Sequence, residues 1–402
     1  MIIGCVGKPS VGKSTFFKSA TLAEVEIASY PFTTIKPNEG VGFVKIKDVA
    51  IDFGKTSNPR EGFVLKEWRF VPVEIVDVAG LVPGAHLGEG MGNQFLDDLR
   101  QADVLIHVID ISGSTNGKGE TVEPGSYNPE QDILFLEEEL DHWYLGILKK
   151  GWDKFARQVQ QEHSDIKKSL TTQLSGLKVN LPMVEKVIKQ LNLEDKNPTE
   201  WNEENLFELA KKLRKLTKPM VIVCNKIDLP TGYENYKKLK EKFTDLNLIP
   251  CSAESELALR EAAKHDLIEY VPGETVFKIT DKGTSNLNEK QKKALEYIKL
   301  NILNKYPEGT GVQSALNKAV FEILEYIAIF PGGVNKLEDK NGNVLPDCFL
   351  MPPNTTALDF AYKLHTDFGK NFIRAINVKT KLTIGKDNPL QNGDVVEIVS
   401  GK

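Results

Sequence analysis

The sequence predicts an α/β protein in which a mostly parallel, doubly wound sheet carries a helical insertion and is followed by a small β-rich domain. Strands covered by helices on both faces are apolar throughout, so five short apolar runs predict the parallel strands: 2–6, 73–78, 104–109, 220–224 and 248–251. Helical periodicity predicts the insertion at residues 127–217. Gly, Pro and Asn turn signals between short apolar runs predict the β-rich domain after residue 329.

The remaining elements follow from local patterns and complete a five-part division. Weaker strands are predicted at 42–46, 67–70 and 372–378, and helices at 15–22, 128–150, 155–174, 183–191, 205–216, 288–303, 312–328 and 356–366. We therefore assign the α/β domain to residues 1–126 and 218–275, the insertion to 127–217, a helical connector to 276–328 and the β-rich domain to 329–402.

Composition excludes several classes of protein. Hydrophobic residues make up 41% and charged residues 27%, the balance of a folded globular chain. No apolar run reaches the roughly 18–20 residues of a membrane span, and the N-terminus lacks a secretory pattern, so we expect a cytoplasmic protein without a membrane partner. Four dispersed cysteines argue against a disulfide framework or a zinc site. A net charge of −5 confines any RNA contact to a local patch, and we expect a monomer.

Residues 7–14 match the phosphate-binding pattern G-x4-G-K-[ST], between a predicted strand and a predicted helix. The loop and the first helical position comprise Gly7, Lys8, Pro9, Ser10, Val11, Gly12, Lys13, Ser14 and Thr15. Glycines let backbone N–H groups surround phosphate oxygens, Lys13 reaches the β and γ phosphates, and the Ser14 hydroxyl suits Mg²⁺. The alternative is a glycine-rich turn that matches by chance, which the strand and helix context disfavours.

Three further motifs follow in the order and strand context of a Ras-like GTPase. Asp77 closes a strand in a D-x-x-G pattern, where it holds Mg²⁺ while the N–H of Gly80 contacts the γ-phosphate. The long interval after Asp77 independently places an insertion before the base-reading motif. Each motif alone is also a common strand-end turn, and only their combination is specific.

The base-reading motif is Asn225-Lys226-Ile227-Asp228. A carboxylate at Asp228 accepts two N–H bonds from guanine and rejects adenine, which lacks the amino group. Ser252 and Ala253 follow the last apolar run and add backbone N–H groups for guanine O6. The motifs predict GTP and GDP as ligands with Mg²⁺.

Longer signatures carry a family resemblance. Tyr30-Pro31-Phe32-Thr33-Thr34 resembles switch I of the Obg family, and residues 77–96 resemble its glycine-rich switch II. Residues 358–367 and 390–396 resemble a TGS domain, a small β-grasp module. This layout is similar to the YchF, or Obg-like ATPase, branch. The resemblance implies a P-loop GTPase fold, and it implies ATP as the alternative nucleotide, because many branch members have Glu where this chain has Asp228.

The resemblance also implies the remaining catalytic residues. Thr34, or Thr33 beside it, binds Mg²⁺ and contacts the γ-phosphate. Leu81 occupies the position of the water-orienting Gln of Ras-like GTPases, so we expect slow hydrolysis. His86, His107, a cation or a partner replaces that Gln. The alternative interpretation is that His86 is an ordinary surface residue of a loop and that His107 is a core residue whose hydrogen bonds are made within the protein.

The resemblance further bears on potassium and on partners. The family usually has Asn where this chain has Ser10, and that Asn is associated with an activating potassium ion, so we expect little potassium dependence. TGS domains occur in RNA-linked proteins, which implies a ribosomal, rRNA or tRNA-linked partner bound through this domain or the insertion. The alternatives are a metabolic P-loop enzyme such as a nucleotide kinase, and a nucleotide-gated scaffold.

Overall fold

The computed structural model describes residues 1–21, 38–78 and 99–401, and a largely parallel sheet forms the centre of the N-terminal domain. Its strands are β1 (Ile2–Val6), β2 (Glu39–Lys47), β3 (Phe63–Leu65), β4 (Trp68–Asp77), β5 (Val104–Asp110), β6 (Met220–Asn225) and β7 (Asn247–Pro250). Their order is β2-β4-β1-β5-β6-β7; β2 and β3 pair antiparallel with β4, and the other pairs are parallel. The carboxyl ends of β1, β4, β5 and β6 meet at one edge, where such sheets bind ligands.

The five predicted parallel strands are confirmed, with one correction beside them. The runs 67–70 and 73–78 belong to a single strand, β4, which pairs with β2 along its whole length. Pro72 lies between the two runs, and proline cannot donate a ladder hydrogen bond. The chain nevertheless continues straight through Pro72, which lies opposite Phe43.

Helices cover the sheet and fill the insertion. They are α1 (Lys13–Thr21), α2 (Glu130–Lys149), α3 (Trp152–Gln161), α4 (Ile166–Gln173), α5 (Leu181–Gln190), α6 (Glu203–Thr217), α7 (Gly232–Lys242) and α8 (Ala253–Lys264). The single helix predicted at 155–174 was wrong, since α3 ends before His163, which adopts φ 50°. Asp165 then caps α4 by accepting a hydrogen bond from the Lys167 N–H. Apolar faces of α2 to α6 share one core, in which Trp152 stacks on Trp201.

The connector returns the chain across the sheet. Just before it, β8 (Ile268–Tyr270) pairs antiparallel with β9 (Phe277–Ile279), the first element of the connector. The connector continues with α9 (Asp281–Asn286), α10 (Glu289–Ile298) and α11 (Val312–Asn317), and π-helical turns at Lys299–Leu303 and Lys318–Ile323 extend α10 and α11. The helix predicted at 312–328 therefore ends at Ile323, because Ile327 already belongs to the next sheet. Leu316 and Val320 pack on the core under the main sheet.

The C-terminal domain contains the second sheet. Its elements are β10 (Ile327–Pro331), β11 (Phe349–Met351), α12 (Ala357–Leu364), α13 (Thr366–Lys370), β12 (Phe372–Asn377), β13 (Thr383–Ile384) and β14 (Val395–Ser400), with strand order β11-β10-β14-β12-β13. The helix predicted at 356–366 is interrupted at His365, which has extended backbone and caps α13.

This domain packs directly against the first. The Arg69 side chain on β4 is 1% exposed and donates to the carbonyls of Leu345 and Pro346, at 2.6 and 2.9 Å. Beside it, Val49 and Phe330 belong to one buried apolar cluster. In the ranges that the structure describes, no helix has the length and apolarity to cross a membrane.

Candidate functional site

The loop of residues 7–14 leaves the carboxyl end of β1 and enters α1, as the phosphate-binding motif requires. A side chain does not fit at either glycine: a Cβ on Gly7 would lie 2.5 Å from the Val108 carbonyl oxygen. A Cβ on Gly12, where φ is +90°, would lie 2.3 Å from the Asn225 amide nitrogen. The loop is therefore held in a tight curve by close backbone approach to β5 and β6, the arrangement that a phosphate cradle needs.

Ser10 lies exposed at the tip of this loop with φ 64°. This left-handed conformation is uncommon for residues other than glycine, and Asn adopts it more readily than Ser. The Asn that is usual in the resembling family thus matches the backbone found here, and Ser10 keeps the conformation without that side chain.

Lys13 and Asp77 come together at the sheet edge from positions 64 residues apart in the chain, and their side chains form an ion pair. Ser14 is exposed on the first turn of α1. The Ser14 hydroxyl and the Asp77 carboxylate are hard oxygen donors, the ligand type that Mg²⁺ takes beside nucleotide phosphates. The donor set therefore fits a magnesium ion.

Asn225 joins three motifs through one buried amide. Its Nδ2 donates to the Val11 carbonyl in the phosphate loop at 2.8 Å, and its Oδ1 accepts from the Ala253 N–H at 3.0 Å. The side chain is 4% exposed. The phosphate loop, the base-reading motif and the start of α8 are thus locked in one relative position.

The two charged residues of the base-reading motif are anchored separately. Lys226, with φ 63°, donates to the Asp110 carboxylate at 2.9 Å. The Asp228 side chain is half-buried, and its backbone carbonyl accepts from the Tyr297 hydroxyl at 2.9 Å. Tyr297 belongs to α10, so the connector contributes to the base site, which sequence reasoning had not anticipated.

The N–H groups predicted to contact guanine O6 are engaged within the protein. Ser252 donates to the Thr310 carbonyl, and Ala253 donates to Asn225. Ser252 caps α8 through its hydroxyl, which accepts from the Ser255 N–H. Contact with guanine O6 stays a prediction that requires the Ala253 N–H to be shared.

His107 lies inside β5, level with Val6 on one side and Ile222 on the other. It is 3% exposed. Burial, and secondarily the positive charge of Lys8, lowers the pKa of His107 to about 3, so the imidazole is neutral at pH 7. This environment favours a core role over water activation.

The other catalytic candidates fall on residues 22–37 and 79–98. Thr33, Thr34, Gly80, Leu81 and His86 therefore lie outside the described residues. Their assigned roles stay predictions.

Sequence reasoning missed a polar network behind the phosphate loop. Asp110 is fully buried and accepts from the hydroxyls of Ser112, Ser114 and Thr115 as well as from Lys226. Burial opposes ionisation, but the bonds from Ser112, Lys226 and Ser114 hold the pKa of Asp110 below its usual value. The signal was the run of hydroxyl residues that directly follows a buried strand ending in Asp.

Family models match three parts of the chain. A model described as a 50S ribosome-binding GTPase matches residues 2–142, and a model described as an Obg-like GTPase, YGR210-like, G4 motif-containing domain matches residues 223–333. A TGS domain model matches residues 340–400. The matches include the phosphate loop, the base-reading motif and the second sheet.

Relatives match over the whole length. An uncharacterized GTP-binding protein of Methanocaldococcus jannaschii is 48% identical over 99% of both chains. The crystal structure of a GTP-binding protein from Pyrococcus horikoshii has a TM-score of 0.77 and 37% identity and covers 100% of both chains. The ribosome-binding ATPase YchF of Escherichia coli O157:H7 is 26% identical over 98% of both chains.

Proposed function

Because the chain belongs to the Obg-like GTPase family, in the YchF branch that ends in a TGS domain, we propose that it binds GTP with Mg²⁺, hydrolyses it slowly and acts as a nucleotide-dependent switch on ribosomes. The Asn225 bridge is the observation that carries the nucleotide proposal. It joins the phosphate loop to a base-reading motif, and a simple phosphate site needs no such connection. A nucleotide kinase would also need a second substrate site, which none of these contacts supplies.

Each side chain at the sheet edge has a defined part in binding. Lys13 exchanges its Asp77 partner for phosphate oxygens, and backbone N–H groups of the glycine-rich loop donate to the same phosphates. Ser14 and Asp77, with Thr34, are the magnesium ligands, and the metal neutralises charge on the phosphates when it is bound. Replacing Lys13 or Ser14 with Ala should abolish hydrolysis, and normal turnover in either variant would exclude this loop from the mechanism.

Slow turnover follows from the residue that replaces the usual Gln, since Leu81 cannot orient water. Between the two histidines, His86 is the better candidate, because His107 is buried within the sheet and its lowered pKa makes it a weak base. We expect His86→Ala to lower kcat without changing GTP affinity. We also expect exchange of potassium for sodium to change turnover little, given Ser10, and a large stimulation by potassium would contradict this.

Base choice separates the GTPase from the ATPase, the second candidate, which is favoured by the name of the Escherichia coli relative. Asp228 supports GTP, because its carboxylate matches two guanine N–H donors, and a buried carboxylate left unpaired by adenine costs about 1–3 kcal/mol or more. Asp228→Asn should weaken GTP binding and favour xanthosine triphosphate, which carries an oxygen where guanine has its amino group.

The measurement is competition of GTP, ATP and xanthosine triphosphate against a fluorescent GDP analogue. Asp245→Asn, an exposed carboxylate on the segment between α7 and β7, is the matched control and should leave all three affinities unchanged. Equal affinity of the wild type for ATP and GTP would refute guanine selection and leave the ATPase.

The C-terminal domain offers a surface suited to RNA. Tyr362 and Phe368 are 49% and 41% exposed, and Lys363, Lys370 and Arg374 are exposed on the same or adjacent elements. Stacking on aromatic rings next to basic side chains is a general mode of single-stranded RNA binding. This surface supports ribosome contact through the C-terminal domain, with the helical insertion as the alternative.

Surface variants test this better than deletion, because deletion would expose the apolar surface around Val49. The triple variant Tyr362→Ala, Phe368→Ala, Lys370→Ala should bind GTP normally but co-sediment less with ribosomes, and wild-type association should weaken with salt. Lys340→Ala, on an exposed turn of the same domain, is the control. Equal, salt-insensitive association of all three proteins would exclude this surface.

Oligomeric state and location complete the proposal. We also infer that the protein is a monomer, and a ribosomal partner implies the cytoplasm. A single species of about 45 kDa by light scattering is the expected result, in line with the chain mass of 44.9 kDa.

A further inference from the structure

Lys8, the second residue of the phosphate loop, directs its side chain into the protein. It is 5% exposed. Its ammonium group donates to the Asp132 carboxylate at 2.8 Å and to the Thr115 carbonyl at 2.9 Å, and it lies 3.8 Å from the centre of the Tyr127 ring. These contacts occupy the ammonium, so the Lys8 side chain serves the fold around the loop and leaves phosphate contact to Lys13.

The partner of Lys8 belongs to the helical insertion. Asp132 lies in the first turn of α2, the first helix of that insertion, and is 4% exposed. The ion pair therefore joins the phosphate loop directly to α2 across 124 residues of sequence.

The segment between β5 and α2 packs against the phosphate loop. A Cβ on Gly119, where φ is +81°, would lie 2.7 Å from the Pro9 side chain, so this segment touches the phosphate loop closely. At the start of this segment, the Asp110 carboxylate accepts hydrogen bonds from the Thr115 hydroxyl and from Lys226 of the base-reading motif. The carbonyl of the same Thr115 accepts from Lys8. One continuous set of polar contacts thus joins the phosphate loop, the segment between β5 and α2, helix α2 and the base-reading motif.

Buried charges of this kind cannot separate without leaving an unpaired charge in a medium of low polarity, so a displacement of the loop at Lys8 must move α2 or break the pair. We infer that Lys8 and Asp132 are positioning residues that couple nucleotide occupancy of the phosphate loop to the helical insertion. The inference rests on the proposed nucleotide binding. Coupling is reciprocal, so a partner that orders the insertion also tightens nucleotide binding.

The experiment compares amide hydrogen exchange of residues 130–149 with and without GDP in the full chain. In the wild type we expect GDP to slow exchange there. In Lys8→Met and in Asp132→Asn, GDP should still bind through Lys13 and Ser14, about tenfold more weakly as for a typical coupling free energy, and the slowing at 130–149 should be lost. Lys8→Arg, which retains the charge, should restore part of it.

A second ion pair on the same helix provides the control. Asp141 and Arg214 pair at 2.7 Å, are equally buried, and lie nine residues further along α2, away from the phosphate loop. Asp141→Asn should destabilise the insertion but keep the slowing by GDP and the wild-type affinity. This variant separates general loss of stability from loss of coupling.

Each outcome decides a different claim. If Lys8→Met and Asp132→Asn bind GDP with wild-type affinity and keep the slowing, the pair is structural and the inference is wrong. If Asp141→Asn loses the slowing as well, the effect is general destabilisation, which also overturns it. If the wild type binds no nucleotide, the proposed function itself fails. Should Lys8→Met not fold, Asp132→Asn, which is nearly isosteric, supplies the same comparison.

Discussion

Removal of the Asn225 amide tests whether nucleotide affinity depends on the bridge between motifs. Asn225→Ala leaves the Val11 carbonyl and the Ala253 N–H without their partner. A buried polar group stranded in this way costs about 1–3 kcal/mol, so the free energy of unfolding should fall by roughly 2–6 kcal/mol. If the roughly 1–3 kcal/mol lost at Val11 destabilises the nucleotide-binding conformation of the phosphate loop, GDP affinity should fall roughly 5- to 150-fold.

The chain contains a control with the same chemistry. Asn317 on α11 bridges the carbonyl and N–H of Lys45 on β2, at 2.8 and 2.9 Å, away from the phosphate loop. Asn317→Ala should lower stability but leave nucleotide affinity unchanged. Asn225→Asp keeps the acceptor for Ala253 but places a buried carboxylate oxygen against the Val11 carbonyl, so it should reduce affinity and lower stability at least as much as Asn225→Ala.

The assay combines chemical denaturation with titration of a fluorescent GDP analogue at a temperature where all variants are folded. The reasoning predicts loss of affinity for both Asn225 variants and none for Asn317→Ala. Unchanged GDP affinity in Asn225→Ala, despite the expected destabilisation, would refute a role for the bridge in holding the phosphate loop. Equal loss of affinity in Asn317→Ala would show that any destabilisation weakens binding.

Three further predictions concern protonation, domain contact and the base site. Folding lowers the pKa of His107 from 6.5 to about 3, so between these pH values the unfolded chain binds a proton at His107 and the folded chain does not. The free energy of unfolding should therefore fall as pH decreases from 6.5 toward 3, by up to about 1.4 kcal/mol per pH unit. Chemical denaturation of His107→Gln at several pH values should show a weaker pH dependence. Arg69→Met removes two buried bonds to carbonyls, each worth roughly 1.5–3 kcal/mol, and should speed proteolysis between the domains, whereas Arg60→Met, at a side chain 60% exposed, should not. Tyr297→Phe should weaken GTP binding roughly 2- to 10-fold through loss of the bond to the base-reading loop, and Tyr233→Phe, an exposed tyrosine on α7, should have no effect in the same titration.

The fold class and the nucleotide motifs were readable from sequence because both depend on local chemistry. Apolar runs predicted the parallel strands, because a strand covered by helices on both faces must be apolar on both faces. The phosphate loop was recognisable because glycine is required where the backbone approaches Val108 and Asn225 closely, and only certain residue types supply the phosphate and metal contacts. Element boundaries were less certain, as the breaks at Asp165 and Ile323 show.

The sequence alone thus indicated a nucleotide ligand, and the tertiary structure decided which polar side chains near the predicted site are held by contacts within the protein. Lys8 looked like a phosphate-loop residue, but its ammonium pairs with Asp132, because only folding brings α2 beside the loop. Tyr297 and Asn225 reach their partners across 69 and 214 residues, and no local pattern encodes those distances. Long-range pairing of buried polar groups depends on the assembled sheet, and so it becomes visible only in three dimensions.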